Sequence, residues 1–205
     1  MPSKIKSLLE ILTIVFLFLI VSYFVRQNID FLKELIGDGF LGILTYIFIT
    51  AIAIVVAPIS MVPLIPLASN VFGWISAAIF SIIGWTLGSF IVFFICRKYG
   101  VDLVRKFVSL EKINKMESKI PKENIFLSII LLRMTIPVDV LSYALGLFSK
   151  ADFKTYALGT IIGITPFAFV FSYLGVVPIF WQIAGFAFSA IIVILTAYFY
   201  RKKVR

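Results

Sequence analysis

Apolar and polar positions divide this chain into long hydrophobic blocks joined by short charged stretches. The apolar blocks run over about 8–25, 41–72, 74–96, 124–148, 155–176 and 179–200. A helix needs about 20 residues to cross a bilayer, so blocks of this length predict membrane-spanning or membrane-buried helices. The stretch 26–40 is polar and slightly acidic, with Asp30, Glu34 and Asp38 among its charges. The stretch 97–123 is basic, and Leu103, Phe107, Leu110, Ile113, Met116 and Ile120 recur in it at three- and four-residue steps. That spacing predicts a helix lying on the membrane surface or a solvated helical linker.

Two of the blocks are broken by proline. One contains Pro58, Pro63 and Pro66; the other runs from Arg133 through Pro137 to Asp139. Proline removes a backbone donor and interrupts a helix. Paired broken segments in the two halves of a membrane protein point to a transporter-like site near the bilayer midplane. The halves also share residues at offsets of 73 to 75: Ser69 and Gly73 map to Ser142 and Gly146, and Gly84 and Gly88 map to Gly159 and Gly163. This reads as an inverted repeat, with small-xxx-small spacing after each broken segment to permit close helix contact.

Composition supports the membrane class. The chain has 205 residues, is 61% hydrophobic and has a mean hydropathy of +1.10. Soluble domains are about 45–50% apolar. The net charge of +9 does not point to nucleic acid, because the basic residues cluster at the ends of apolar blocks. Lys4 and Lys6 precede the first block, eight Lys and Arg lie between Arg97 and Lys122, and Arg201, Lys202, Lys203 and Arg205 close the chain. Lys and Arg prefer the cytoplasmic side. All three clusters reach that side only if 41–72 and 124–148 each enter and leave on one face. The expected fold is therefore an all-α, polytopic membrane protein with two facing re-entrant helical hairpins. Both termini are cytoplasmic in this arrangement. The first block resembles a signal sequence but has no small-residue cleavage site after it, so it reads as a retained helix.

Histidine is absent and Cys96 is the single cysteine. His-based catalysis, His-ligated metal sites and intramolecular disulfides are excluded. No nucleophile–base set is visible, so an enzyme is not expected, and no cofactor is called for. Gly37, Gly39 and Gly42 formally fit a dinucleotide pattern, but no strand precedes them.

Arg133 and Asp139 are the leading functional candidates. Charge inside a broken membrane segment is costly and faces a cavity or a partner. One reading has Arg133 bind a phosphate through its forked donors and Asp139 carry a coupled proton. The other makes them an ion pair bracing the turn. Arg97 ends the third block and reads by itself as a snorkelling interface anchor. Pro63 and Asn70, with Ser60, offer polar groups and freed carbonyls to a substrate, or satisfy the broken backbone locally. Tyr143 caps a site with its hydroxyl or is ordinary packing.

Taken together, Gly73 through Gly88, Phe93-x-x-x-Arg97-x-x-Gly100, Arg133…Pro137-Val-Asp139…Tyr143-Ala-Leu-Gly146 and Gly159-Thr-x-x-Gly163-x-x-Pro166 resemble the VTT-domain proteins. These form the DedA/SNARE-associated Golgi protein superfamily, and the Tvp-like branch is the most similar. The resemblance covers about 40–176. It implies a domain layout of an N-terminal helix and external loop (1–40), a VTT-like membrane domain (41–176), and a C-terminal helix with a basic tail (177–205). It also implies lipid transport, either phospholipid scrambling or polyprenyl-phosphate flipping. By motif match, Arg97 and Arg133 are the family's recurrent arginines, and Asp139 and Tyr143 fall in its second-hairpin motif. DedA proper resembles a pattern with acidic residues in or before the first hairpin. Here 39–96 contains no Asp or Glu, which leaves energy-independent scrambling or coupling through Asp139 alone.

The expectation is thus a lipid transporter acting on phosphate headgroups, with protons as a further candidate partner. A proton-coupled small-solute or ion transporter and a non-transporting membrane scaffold stand as alternatives. The short chain and bare termini point to a prokaryotic plasma membrane.

Overall fold

The computed structural model describes residues 3–37, 39–56, 60–104, 124–134 and 138–187. Their regular structure is helical, with no strand among the described residues. In chain order the helices are α1 (Ser3–Gln27), α2 (Ile29–Ile36), α3 (Phe40–Val56), α4 (Ile65–Phe72), α5 (Trp74–Val104), α6 (Ile125–Arg133), α7 (Val138–Phe148), α8 (Phe153–Val176) and α9 (179–187). A 3-10 turn, Val62–Leu64, leads into α4. Gly100 takes φ 62° inside α5 and ends its straight part.

The helices follow the apolar blocks, and the broken blocks are the ones divided between two elements. Block 41–72 becomes α3, the 3-10 turn and α4; block 124–148 becomes α6 and α7. Gly73 ends α4 at φ +83°, a backbone state that side chains disfavour, and lets α5 start at once. One stretch departs from its sequence reading. The polar 26–40 segment, expected as a loop, carries the helix α2. Asp30 lies in its first turn and Lys33 in its last, the ends where the helix dipole favours each sign, and Leu32 is buried. The amphipathic pattern that continues to Ile120 and the basic C-terminal tail lie outside the described residues.

The long helices α5 and α8 pack together at the centre. Helix α3 lies along α5, and α6 lies along α8. The short arms cross over: α4 packs on α8 and α7 packs on α5. Glycines set the two long seams. A Cβ on Gly88 would lie 2.5 Å from the Ala51 carbonyl and 2.8 Å from Ile54 Cβ. A Cβ on Gly163 would lie 3.0 Å from the Ile130 carbonyl and 2.6 Å from Arg133 Cβ. Gly84 meets Ile47 and Thr50 in the same way that Gly159 meets Phe126 and Ile129. Both seams therefore use positions i, i+3, i+4 and i+7 of the shorter helix, in the same order. Such contacts bring backbones close enough for dispersion to hold helices together without a hydrophobic gradient.

The outer surface is apolar. Ile75, Ile79, Ile83, Leu87 and Ile91 recur every four residues on the exposed face of α5. Segments Trp74–Gly100 and Phe153–Val176, 27 and 24 residues long, are long and apolar enough to cross a membrane. Exposed aliphatic stripes of this extent suit lipid rather than water.

Candidate functional site

A cavity of about 440 Å³ lies where the two broken segments meet. Ser60, Met61 and Val62 line it from the first, and Arg133, Met134, Val138 and Asp139 from the second. Ile54 of α3, Trp85 of α5 and Ile164, Phe167 and Phe171 of α8 add apolar wall. Ile14, Val15 and Phe18 of α1 and Phe186 of α9 complete it. Ser60, Arg133 and Asp139 thus bring a hydroxyl and two charges into a largely aliphatic and aromatic chamber.

Arg133 is 2% exposed and Asp139 8% exposed. A charge this deep persists only when its donors or acceptors are matched. Among the described residues Arg133 makes four hydrogen bonds. Its Nη1 donates to the Val138 carbonyl at 2.8 Å and to Ser142 Oγ at 2.9 Å. Its Nη2 donates to the Tyr156 hydroxyl at 2.9 Å and to Thr160 Oγ1 at 3.1 Å. The guanidinium also sits over the Tyr156 ring, 5.5 Å from its centroid. The partners are held in turn. The Tyr156 hydroxyl donates to the Ser89 carbonyl at 3.0 Å, and its ring stacks on Phe93 at 4.2 Å. Ser142 Oγ lies 3.1 Å from Ser89 Oγ and 2.6 Å from the Val138 carbonyl. Arg133 Nε is buried without a hydrogen-bond partner among the described residues. Asp139 sits in the first turn of α7, where the helix dipole favours an anion.

The sequence-predicted residues fall into two groups. Arg133 and Asp139 meet at the cavity. Arg97, Tyr143, Asn70 and Pro63 lie elsewhere in the framework. Arg97 is exposed, and its Nη2 donates to the carbonyls of Ser149 (2.6 Å) and Ala151 (3.0 Å), bracing the α7–α8 connection; its guanidinium lies 5.0 Å from the Phe93 ring centroid. Tyr143 is fully buried, and its hydroxyl donates to the Val55 carbonyl in the last turn of α3. Asn70 Nδ2 donates to the Pro66 carbonyl at 2.7 Å and to the Gly175 carbonyl at 3.0 Å, tying α4 to the end of α8. Pro63 is buried in the 3-10 turn. Pro137 lies outside the described residues. Among the glycines, Gly146 abuts Cys96, where a Cβ would come within 2.6 Å of the Cys96 Cβ.

Reading the sequence alone missed the side chains that hold Arg133, namely Ser142, Tyr156 and Thr160, and Ser89, which holds two of them in turn. Their signal was present. Tyr156 and Thr160 are four residues apart, so they share one face of an apolar helix. A second missed cluster joins α1 to the end of α8. Arg26 Nη2 donates to the Val176 and Val177 carbonyls, and Gln182 Nε2 donates to Ser22 Oγ at 2.7 Å and to the Val177 carbonyl at 2.9 Å. Among the described residues no group of three or more His, Cys, Asp or Glu offers a metal site.

Comparison with known families matches the chain to the VTT domain. The model of the VTT domain covers residues 57–177, more than half of the chain and both cavity-lining breaks. No curated protein and no solved structure matches the chain.

Proposed function

This chain belongs to the VTT domain family, the DedA/SNARE-associated Golgi superfamily, and from there we propose that it is an integral membrane lipid transporter. The superfamily match does not single out its Tvp-like branch. The observation that carries the proposal is the cavity at the junction of the two broken segments, with Arg133 and Asp139 set into apolar walls. An amphiphile needs that combination. A phosphate headgroup is drawn to the guanidinium, whose buried Nε has no hydrogen-bond partner among the described residues. Hydrocarbon lies against Ile54, Trp85 and the phenylalanines of α8.

In this reading blocks 41–72 and 124–148 are re-entrant hairpins facing each other in an inverted repeat. The same-order glycine seams and the crossed packing of α4 on α8 and α7 on α5 support it. The basic clusters are cytoplasmic and the protein sits in the plasma membrane. Lipid passes either downhill, as in a scramblase, or with a proton carried by Asp139, as in a polyprenyl-phosphate flippase.

The test is movement of fluorescent phospholipid and of polyprenyl phosphate across proteoliposomes, with wild type compared to Arg133→Ala. Protein-dependent movement lost in the variant is expected. No movement of either lipid, with or without a pH gradient, would exclude the proposal. The four bonds that hold Arg133 favour a second reading, in which it braces a non-transporting scaffold. Under that reading wild type is inactive in the same assay while Arg133→Ala still lowers thermal stability.

A further inference from the structure

Ile54 stands on α3 as Arg133 stands on α6. Each is the i+7 residue of its helix seam, and each meets the second glycine of the facing long helix, Gly88 for Ile54 and Gly163 for Arg133. The next position on each long helix obeys the same order. Trp85 follows Gly84, and Thr160 follows Gly159. Thr160 accepts a hydrogen bond from Arg133, whereas Trp85 lines the cavity together with Ile54. One chamber is therefore lined at two equivalent positions by different chemistry: Arg133, with Asp139 beside it in the lining, at one, and an alkyl group with an indole at the other, while Thr160 lies behind Arg133 and outside the lining.

This asymmetry has a chemical consequence. Charge on both walls would suit a water-soluble polyanion. Charge on one and hydrocarbon on the other suits a molecule with a phosphate at one end and methylenes directly after it. Ile54 and Trp85 are each 5% exposed, so both are held in place by packing and present a fixed apolar surface to the cavity they line.

We infer that Ile54 is a specificity-determining residue: backed by Trp85, it holds the first methylenes of the lipid chain while the phosphate faces Arg133. The inference rests on the lipid-transport reading above. It makes selectivity for long-chain over short-chain phosphate esters a property of position 54, separate from the charge at position 133.

The experiment compares two probes in proteoliposomes, fluorescent dioleoyl phosphatidic acid and radiolabelled butyl phosphate. Wild type, Ile54→Val, Ile54→Gln and Ile54→Phe are each assayed. In Ile54→Gln the buried amide opposes the chain, and the long-chain to short-chain rate ratio is expected to fall about tenfold. Ile54→Val keeps the ratio. Ile54→Phe fills the slot without polarity and is expected to slow the long-chain probe more than butyl phosphate; it serves where the Gln variant fails to insert. An unchanged ratio in whichever of these two variants melts as wild type overturns the inference and leaves the lipid-transport reading standing. Wild type moving neither probe overturns the inference, and the lipid-transport reading is then decided by the polyprenyl-phosphate assay above.

Discussion

Arg133 occupies its place because residue 163 has no side chain. A Cβ on Gly163 would lie 2.6 Å from Arg133 Cβ and 3.2 Å from its Cγ. The clash is with the root of the side chain, which cannot swing aside as a flexible tip would. Alanine in a helix gains about 1 kcal/mol over glycine, but overpacking a tight seam costs about 1–3 kcal/mol. Gly163→Ala is therefore expected to lower the melting temperature in detergent and to impair transport with it. Gly39→Ala, where a Cβ meets nothing within 4 Å, is the control and is expected to melt as wild type.

The fork of Arg133, rather than its charge alone, holds the site. Two nitrogens reach four acceptors on α7 and α8. Lysine carries the same charge as a single point and cannot span Ser142 and Tyr156 together. Arg133→Lys is expected to lose about 1.5–3 kcal/mol, the worth of a hydrogen bond to a charged group. Thermal unfolding in lipid nanodiscs measures this. A lysine variant as stable as wild type would show that position 133 needs only a cation.

Helix α8 begins at an exposed carboxylate. Asp152 accepts hydrogen bonds from the Thr155 hydroxyl and from the backbone N–H groups of Thr155 and Lys154. The Thr155 hydroxyl, then its N–H, holds the Asp152 pKa below its ordinary value. Because the folded value is the lower one, this contribution is present above the unfolded carboxylate pKa and is lost as pH falls through the folded one. Acidification across that window is expected to lower the wild-type melting temperature. Asp152→Asn, which keeps a neutral cap, should show a smaller drop over the same range. Parallel melting curves for the two proteins would argue against this role for the cap.

The charge pattern predicts that the basic 97–123 stretch faces the cytoplasm. A reporter fused after Lys112 is expected to be active only on the inner side, as are reporters at both termini. An external reading at Lys112 would break the re-entrant arrangement, because an even number of crossings would no longer separate it from the N-terminus.

Hydropathy and proline alone determined the long apolar helices and where two of the apolar blocks break, but not the short helix α2. Apolar runs of bilayer length can only be satisfied as helices, since backbone donors find no water in lipid. Proline then marks the interruption locally, so blocks 41–72 and 124–148 were legible as split elements. Arg133 and Asp139 were legible as candidates for a similar reason: charge in an apolar run is conspicuous in one dimension. Only the tertiary structure decided what surrounds them. The partners of Arg133 come from α7 and α8, and Ser89 of α5 steadies two of them. None is close to Arg133 along the chain except Val138 and Ser142. The motif residues Arg97 and Tyr143 were equally conspicuous in the sequence, yet packing sends their donors to framework carbonyls. Ile54 carried no local signal at all. Its place in the cavity that Arg133 also lines follows from helix register, which is set by which glycines let two backbones touch.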